Sequence, residues 1–206
     1  KTIDGQLVAL AQKNIDTGMG LERTLAVLNN LADNYLTDLF YPLIQKIEDL
    51  SGEKYDSDLK SFRVIADHLR SATFLLGDPK GVSPSNTGQG YVLRRVIRRA
   101  IRFAKNLNIQ AGFTTILAQV VIDNFKATYP ELEKTREDVK TIIEIESGRY
   151  GSSKERMQKI VSNLKQKPTV DDLIRLYESD GITPDYLKEM KAISEIPSTF
   201  YTKLSE

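Results

Sequence analysis

The sequence contains no cysteine, which excludes disulfides, thiol nucleophiles and zinc–thiolate sites together. That absence fits a reducing compartment, and a cytoplasmic location is the expectation. No apolar run is long enough to cross a membrane, so no membrane partner is expected. The opening Lys1-Thr2-Ile3-Asp4-Gly5-Gln6 has no apolar core of the kind a signal peptide needs. It also lacks an initiator Met, so the expectation is a piece of a longer chain. Charge of one sign is scarce as well. The formal net charge is only +1, so any nucleic-acid binding has to come from a local concentration of cations rather than from a globally basic protein. No internal repeat and no low-complexity tract is present.

What is there is ordinary globular material. The chain has 206 residues, 40% hydrophobic and 28% charged, enough for a sizeable core in one large domain or two small ones. Gly5 to Ile15 alternates loosely through Leu7, Val8, Leu10 and Ile15, which predicts a strand. After it Leu21, Leu25, Leu28 and Leu31 return at helical spacing. Helices are predicted over Leu39–Leu50, Ser61–Leu76, Tyr91–Leu107, Thr114–Phe125, Leu132–Ser147 and Ser153–Leu164. Gly77–Gly90, with Pro79, Gly81, Pro84, Asn86 and Gly88, is the clearest loop. Thr169 or Asp171 caps a short helix over Asp171–Tyr177, Asp180-Gly181 breaks it, and Pro184 suits the first turn of a helix over Asp185–Ile193. Beyond Ile196 no pattern is legible, and fraying is the expectation. The fold class is therefore mainly α: a bundle-like helical body preceded by a small β/α remnant, with a boundary near Asn30–Leu36.

The densest chemical signal is Gly90-Tyr91-Val92-Leu93-Arg94-Arg95-Val96-Ile97-Arg98-Arg99-Ala100-Ile101-Arg102. On a helix, Val92, Leu93, Val96, Ile97, Ala100 and Ile101 form one apolar stripe. Arg94, Arg98 and Arg102 stack at four-residue spacing, Arg95 and Arg99 make a neighbouring row, and Lys105 extends the cationic face. Successive turns place such side chains about 6 Å apart, close to the spacing of phosphates along one strand. The planar guanidinium fork suits phosphate. The plainer reading is a solvated face, or arginines paired to carboxylates on packed helices. No acid is interleaved among the arginines, so the helix cannot neutralise itself locally.

A second constellation is Asp16-x-Gly18-x-Gly20-x-Glu22-Arg23. Its glycines let a ligand approach the backbone, Arg23 is in reach of a polyphosphate at the start of the following helix, and Asp16 is suited to an ammonium group. A lone pair of glycines is weak evidence, because most such glycines are turn residues. His68, the only histidine, stands beside Asp67 on an amphipathic helix. That pairing suits a general base, but without a nucleophile or metal ligands nearby a structural histidine is the better reading.

Both constellations resemble alanyl-tRNA synthetases. Asp16-Thr17-Gly18-Met19-Gly20-Leu21-Glu22-Arg23 is similar to that family's form of class II motif 3. The resemblance implies that Arg23 contacts ATP, that Asp16 holds the amino group of alanine, and that Gly18 and Gly20 floor the aminoacyl-adenylate pocket. Phe62-Arg63-Val64-Ile65-Ala66-Asp67-His68-Leu69-Arg70-Ser71 matches a second family block, and Pro84-Ser85-Asn86-Thr87-Gly88-Gln89-Gly90-Tyr91-Val92-Leu93-Arg94-Arg95 a third. Leu176-Tyr177-Glu178-Ser179-Asp180-Gly181-Ile182-Thr183-Pro184-Asp185 aligns in an archaeal style.

The resemblance further implies two regions: residues 1–33 as the end of a class II catalytic domain, and 34–206 as a helical domain that grips the tRNA(Ala) acceptor stem. In the family, an Asn and an acidic residue straddle a G·U pair from the minor groove. The Asn corresponds to Asn86. The acidic position is Glu178 where the family has Asp, which leaves Asp180 and Asp185 as alternatives. Arg94, Arg95, Arg98, Arg99 and Arg102 are the expected phosphate contacts. The complete enzyme would use ATP with Mg2+ and alanine, and would need the remaining catalytic and editing domains or a partner chain carrying them. With motifs 1 and 2 missing, this chain alone is expected to be inactive as an alanine–tRNA ligase and to bind no cofactor. The competing function is a non-catalytic helical module whose arginine helix docks an acidic protein face.

Overall fold

A computed structural model describes residues 5, 8, 9, 12, 15, 17–164 and 166–204, apart from the side chains of 154 and 155. Among the described residues the regular structure is entirely helical. The strand expected over 5–15 lies largely outside the described residues, and the five described there are not in a strand.

The elements run α1 Leu21–Leu28, α2 Tyr41–Ser51, α3 Leu59–Gly77, α4 Gly88–Asn106, α5 Phe113–Phe125, α6 Pro130–Lys134, α7 Arg136–Ser162, α8 Val170–Asp180, α9 Pro184–Glu189 and α10 Phe200–Leu204. Local chemistry sets several of the ends. The Asp58 carboxylate accepts from Ser61 N–H at 3.0 Å and caps α3. Pro42 sits in the first turn of α2, where its missing N–H is harmless. Of the two candidates for the start of α8, Thr169 is the cap, in a reciprocal capping box with Asp172. Gly181 ends α8 at φ 67°, a left-handed position that glycine takes without steric penalty.

Two apolar clusters organise the chain. The first is built on α2, α3, α4, α5 and the start of α7, with Phe62, Ile65, Leu69, Leu93, Ile97, Leu117 and Ile122 fully buried. The second joins the far half of α7 to α8, α9 and α10 through Met157, Leu173, Leu176, Leu187 and Phe200. Ile101 on α4 packs against both. Since α7 has 27 residues, it is about 40 Å long at 1.5 Å per residue and serves both clusters.

Three expectations are corrected here. Leu132–Ser147 and Ser153–Leu164 are not two separate helices: Leu132 belongs to α6, and from Arg136 α7 runs unbroken through Gly148 and Gly151. Each glycine weakens a helix by about 1 kcal/mol relative to alanine, but Tyr150 between them is buried, and that packing outweighs propensity. The helix predicted to reach Ile193 stops at Glu189, because Lys191 turns the chain at φ 59°. The segment after Ile196 is not frayed over its described residues, 197–204: Phe200 is fully buried, edge-on to Tyr177 at 5.7 Å.

Candidate nucleic-acid interface

The centre of the site is α4. Leu93, Ile97 and Ala100 are fully buried, and α3 is the principal partner of this helix. Most of the predicted apolar stripe is therefore core, although Val92 is exposed. Packing fixes which way the arginines face. Gly90 fixes the loop before the helix. A Cβ at Gly90 would lie 2.3 Å from the Ser83 carbonyl oxygen and 2.4 Å from Ser85 Oγ, so only glycine lets residues 83–85 fold against the first turn. Ser85 Oγ donates to the Thr87 carbonyl at 2.8 Å. This folded loop brings Asn86 to the cationic face of α4, where Arg94 donates to Asn86 Oδ1.

The arginines are less free than the sequence implies. Arg94 Nε lies 3.1 Å from Oε1 of Glu146 on α7, and Arg98 Nε donates to the same oxygen at 2.8 Å. Glu146 is 1% exposed. Arg102 pairs with Glu189 at 3.3 Å and Arg95 approaches Asp185 at 4.0 Å. No acid is interleaved along α4, but α7 and α9 supply three from elsewhere in the fold. Neutralisation is therefore tertiary. Arg99 remains exposed, its guanidinium 5.7 Å from the Phe103 ring.

Opposite α4 stand α8 and the turn into α9. A groove of about 540 Å³ is lined by Asn86, Tyr91, Arg94, Arg95 and Arg98 on one side, and by Tyr177, Glu178, Ser179 and Asp180 on the other. A neighbouring cleft of about 400 Å³, lined by His68, Arg99, Arg102, Tyr150, Met157 and Asp185, shares Arg95, Arg98, Gly181 and Thr183 with it. The three acidic candidates have different surroundings. Asp180 is held by Arg156 at 3.1 Å. Asp185 faces Arg95 in the second cleft. Glu178 is exposed in the groove that holds Asn86, and no ion pair engages it among the described residues. Tyr91 and Tyr177 meet edge to face at 5.5 Å and floor that groove.

The family model described as tRNA synthetases class II (A) matches residues 1–197. The chain belongs to this class II synthetase family. An alanine–tRNA ligase of Nitrosopumilus maritimus is 47% identical over 162 residues, covering 78% of this chain and 18% of the relative. One from Halalkalibacterium halodurans is 40% identical over 197 residues, and one from Bacillus anthracis 41% over 202. Each of these two covers 90% of the chain, which itself spans 22–23% of their length.

Of the residues of the class II motif 3 resemblance, Gly20 and Arg23 line a cleft of about 800 Å³ together with Glu22, Asp67, Arg70 and Tyr129. Asp16 lies outside the described residues. Gly20 caps α1 at φ −68°, a conformation open to any residue, and a Cβ at Gly18 would meet nothing within 4 Å. Glycine at Gly18 and Gly20 is therefore not demanded by the chain's own packing. Arg23 is exposed on the first turn of α1, which suits a phosphate, but no group of three or more acidic or imidazole side chains able to hold a metal occurs among the described residues. The turn of α1 is joined to the helical body by Arg70, whose Nη2 donates to Glu22 at 2.5 Å while its guanidinium lies 4.4 Å from the Phe40 ring. Asp33, at the expected boundary, accepts from Tyr55 and Arg63, each at 2.7 Å.

His68 lines the arginine cleft, and burial, then the nearby Arg99 charge, lower its pKa. It is a neutral, half-enclosed side chain with no metal-binding set beside it among the described residues. The residue that sequence reasoning missed is Glu146. Helical spacing puts it on the buried face of α7 with Val139, Ile143 and Tyr150, whereas Glu144 is exposed. That spacing was the available signal, and the crossing of α4 and α7 supplies its partners.

Proposed function

We infer that this chain is the part of an alanine–tRNA ligase that holds the tRNA(Ala) acceptor stem, with the G·U pair over the groove between α4 and α8. The observation that carries this reading is the convergence of Asn86 and Glu178, far apart in sequence, on one groove with Arg94, Arg95 and Arg98. In A-form RNA the minor groove is wide and shallow and shows base edges to a protein. There the guanine 2-amino group is a donor. In a G·C pair one of its hydrogens is taken by cytosine, whereas in a G·U wobble both are free. Two acceptors flanking the amino group match that difference. Glu178 offers a carboxylate. Asn86 Oδ1 keeps a second lone pair after accepting from Arg94.

The arginines position the stem without reading it. Five arginines on α4, Arg94, Arg95, Arg98, Arg99 and Arg102, meet the three carboxylates of Glu146, Asp185 and Glu189. A surplus of positive charge remains along the helix. Docking of an acidic protein face has less support, since that surface would have to compete with carboxylates already seated and would leave the Asn86–Glu178 groove unused. The motif 3 resemblance assigns Gly18, Gly20 and Arg23, together with Asp16, to the ATP and alanine site of the complete enzyme. The boundary between that part and the helical domain falls at Asp33.

The test is binding of acceptor-stem hairpins to Asn86→Ala. Losing one acceptor at the amino group lowers affinity for the G·U hairpin by about tenfold, within the range of one specific base contact. The G·C hairpin loses much less. Equal losses on both hairpins would remove Asn86 from base reading.

A further inference from the structure

We propose that Glu146 is the positioning residue for base reading: a buried carboxylate on α7 that fixes Arg94 and, through it, the amide of Asn86. The proposal rests on the assignment of Asn86 made above. The connection is continuous. Glu146 is 1% exposed, and its Oε1 is shared by Arg94 and Arg98 at 3.1 and 2.8 Å. Arg94 in turn donates to Asn86 Oδ1. Asn86 itself is exposed at the tip of a loop, where an amide left alone would sample both orientations and present a donor as readily as an acceptor. A guanidinium cannot accept a hydrogen bond, so its contact with Oδ1 sets which end of the amide faces which way. A guanidinium on a long side chain is itself adaptable, and the buried carboxylate removes that freedom. Arg98, held by the same oxygen, sits beneath the Tyr150 ring at 5.5 Å and closes the far side. Glu146 Oε2 and Arg94 Nε have no hydrogen-bond partner, so Glu146 holds Arg94 as an ion pair and Arg98 by a hydrogen bond. A fully buried acid with one unsatisfied oxygen is costly, and orientation of two arginines at the groove is what that cost supports.

The charge bookkeeping gives opposite signs for the two readouts. In Glu146→Gln, Arg94 and Arg98 lose their shared counter-charge and become more available to phosphate. Affinity for both hairpins at low salt therefore rises, and the dependence of log K on log salt steepens. Discrimination moves the other way: the G·U over G·C ratio falls by roughly fivefold, at the lower edge of what one specific base contact supplies. A merely structural role would lower affinity for both hairpins in parallel and leave their ratio unchanged.

The experiment is a double-mutant cycle in this chain, with hairpin binding of wild type, Glu146→Gln, Asn86→Ala and the double variant. The expected result is that Glu146→Gln lowers the ratio alone and lowers it no further when Asn86 is already alanine. An additive fall, or an unchanged ratio in Glu146→Gln, overturns the proposal. If Asn86→Ala alone leaves the ratio intact, the base-reading assignment itself has failed, which is a different result. Should Glu146→Gln not fold, Arg94→Lys replaces it. Lysine keeps the charge but lacks the fork needed to engage Glu146 and Asn86 together, so it must show the same non-additive loss, and full discrimination in Arg94→Lys overturns the proposal.

Discussion

His68 sits where four arginines of α4 line a cleft, and its protonation is opposed by burial and by Arg99. In the unfolded chain its imidazole takes up a proton near pH 6.5; in the folded chain it does so only at lower pH. Between those two values the unfolded state binds more protons, so the full stability is present above about pH 6.5 and declines as pH falls through the folded-state value. The slope from one group is at most about 1.4 kcal/mol per pH unit. Chemical denaturation between pH 7 and 5 should show this decline, and His68→Gln should flatten it. A decline of the same size in the variant would assign it to another group, although carboxylates with lowered pKa values, such as Asp33 and Asp123, act only below about pH 4.5. At this scale the sequence shows side-chain chemistry well and partners poorly. The cations of α4 were legible as a row of arginines. That Glu146, Asp185 and Glu189 would meet them was not, because those acids arrive from later helices.

Among the elements, the helices with a strong apolar period were the legible ones: α2, α3, α4 and α5 lie within a few residues of their sequence-based bounds. The errors fell where tertiary contact overrode local preference. Gly148 and Gly151 read as an interruption, yet α7 passes through them because Tyr150 is needed in the second core. The tail showed no periodicity because α10 has only five residues, too few for a pattern. Phe200 is nonetheless one of the largest fully buried side chains, and it packs on Tyr177, next to Glu178 in α8. Phe200→Ala should cost about 3–5 kcal/mol, as truncations of buried aromatics do, read as a lower midpoint in thermal or urea denaturation. It should also weaken discrimination of G·U hairpins, since α8 loses its backing. A change below about 1 kcal/mol would mean that the tail is dispensable to the fold.

Across the whole molecule, two apolar clusters meet along α4 and α7, and the groove opens where they join. Neither cluster carries the site alone: the first supplies Asn86 and the arginines, the second Glu178. The motif blocks made these residues visible in the sequence, but their convergence depends on how α8 is hung from α7, which no local pattern encodes. The exposed apolar residues Met19, Leu21, Val27 and Leu28, on α1 and just before it, belong to neither cluster.

The central claim is that this groove reads an acceptor stem, and the most direct measurement is binding of the unaltered chain to two hairpins, one with G·U and one with G·C, at two salt concentrations. The account predicts tighter binding to the G·U hairpin by roughly tenfold or more at both salt concentrations. It also predicts a log–log salt slope of about −2 shared by both hairpins, from the excess of two α4 arginines over the carboxylates that meet them. Equal affinities would contradict the base reading and leave α4 as an electrostatic platform; a flat salt dependence would contradict phosphate contact altogether.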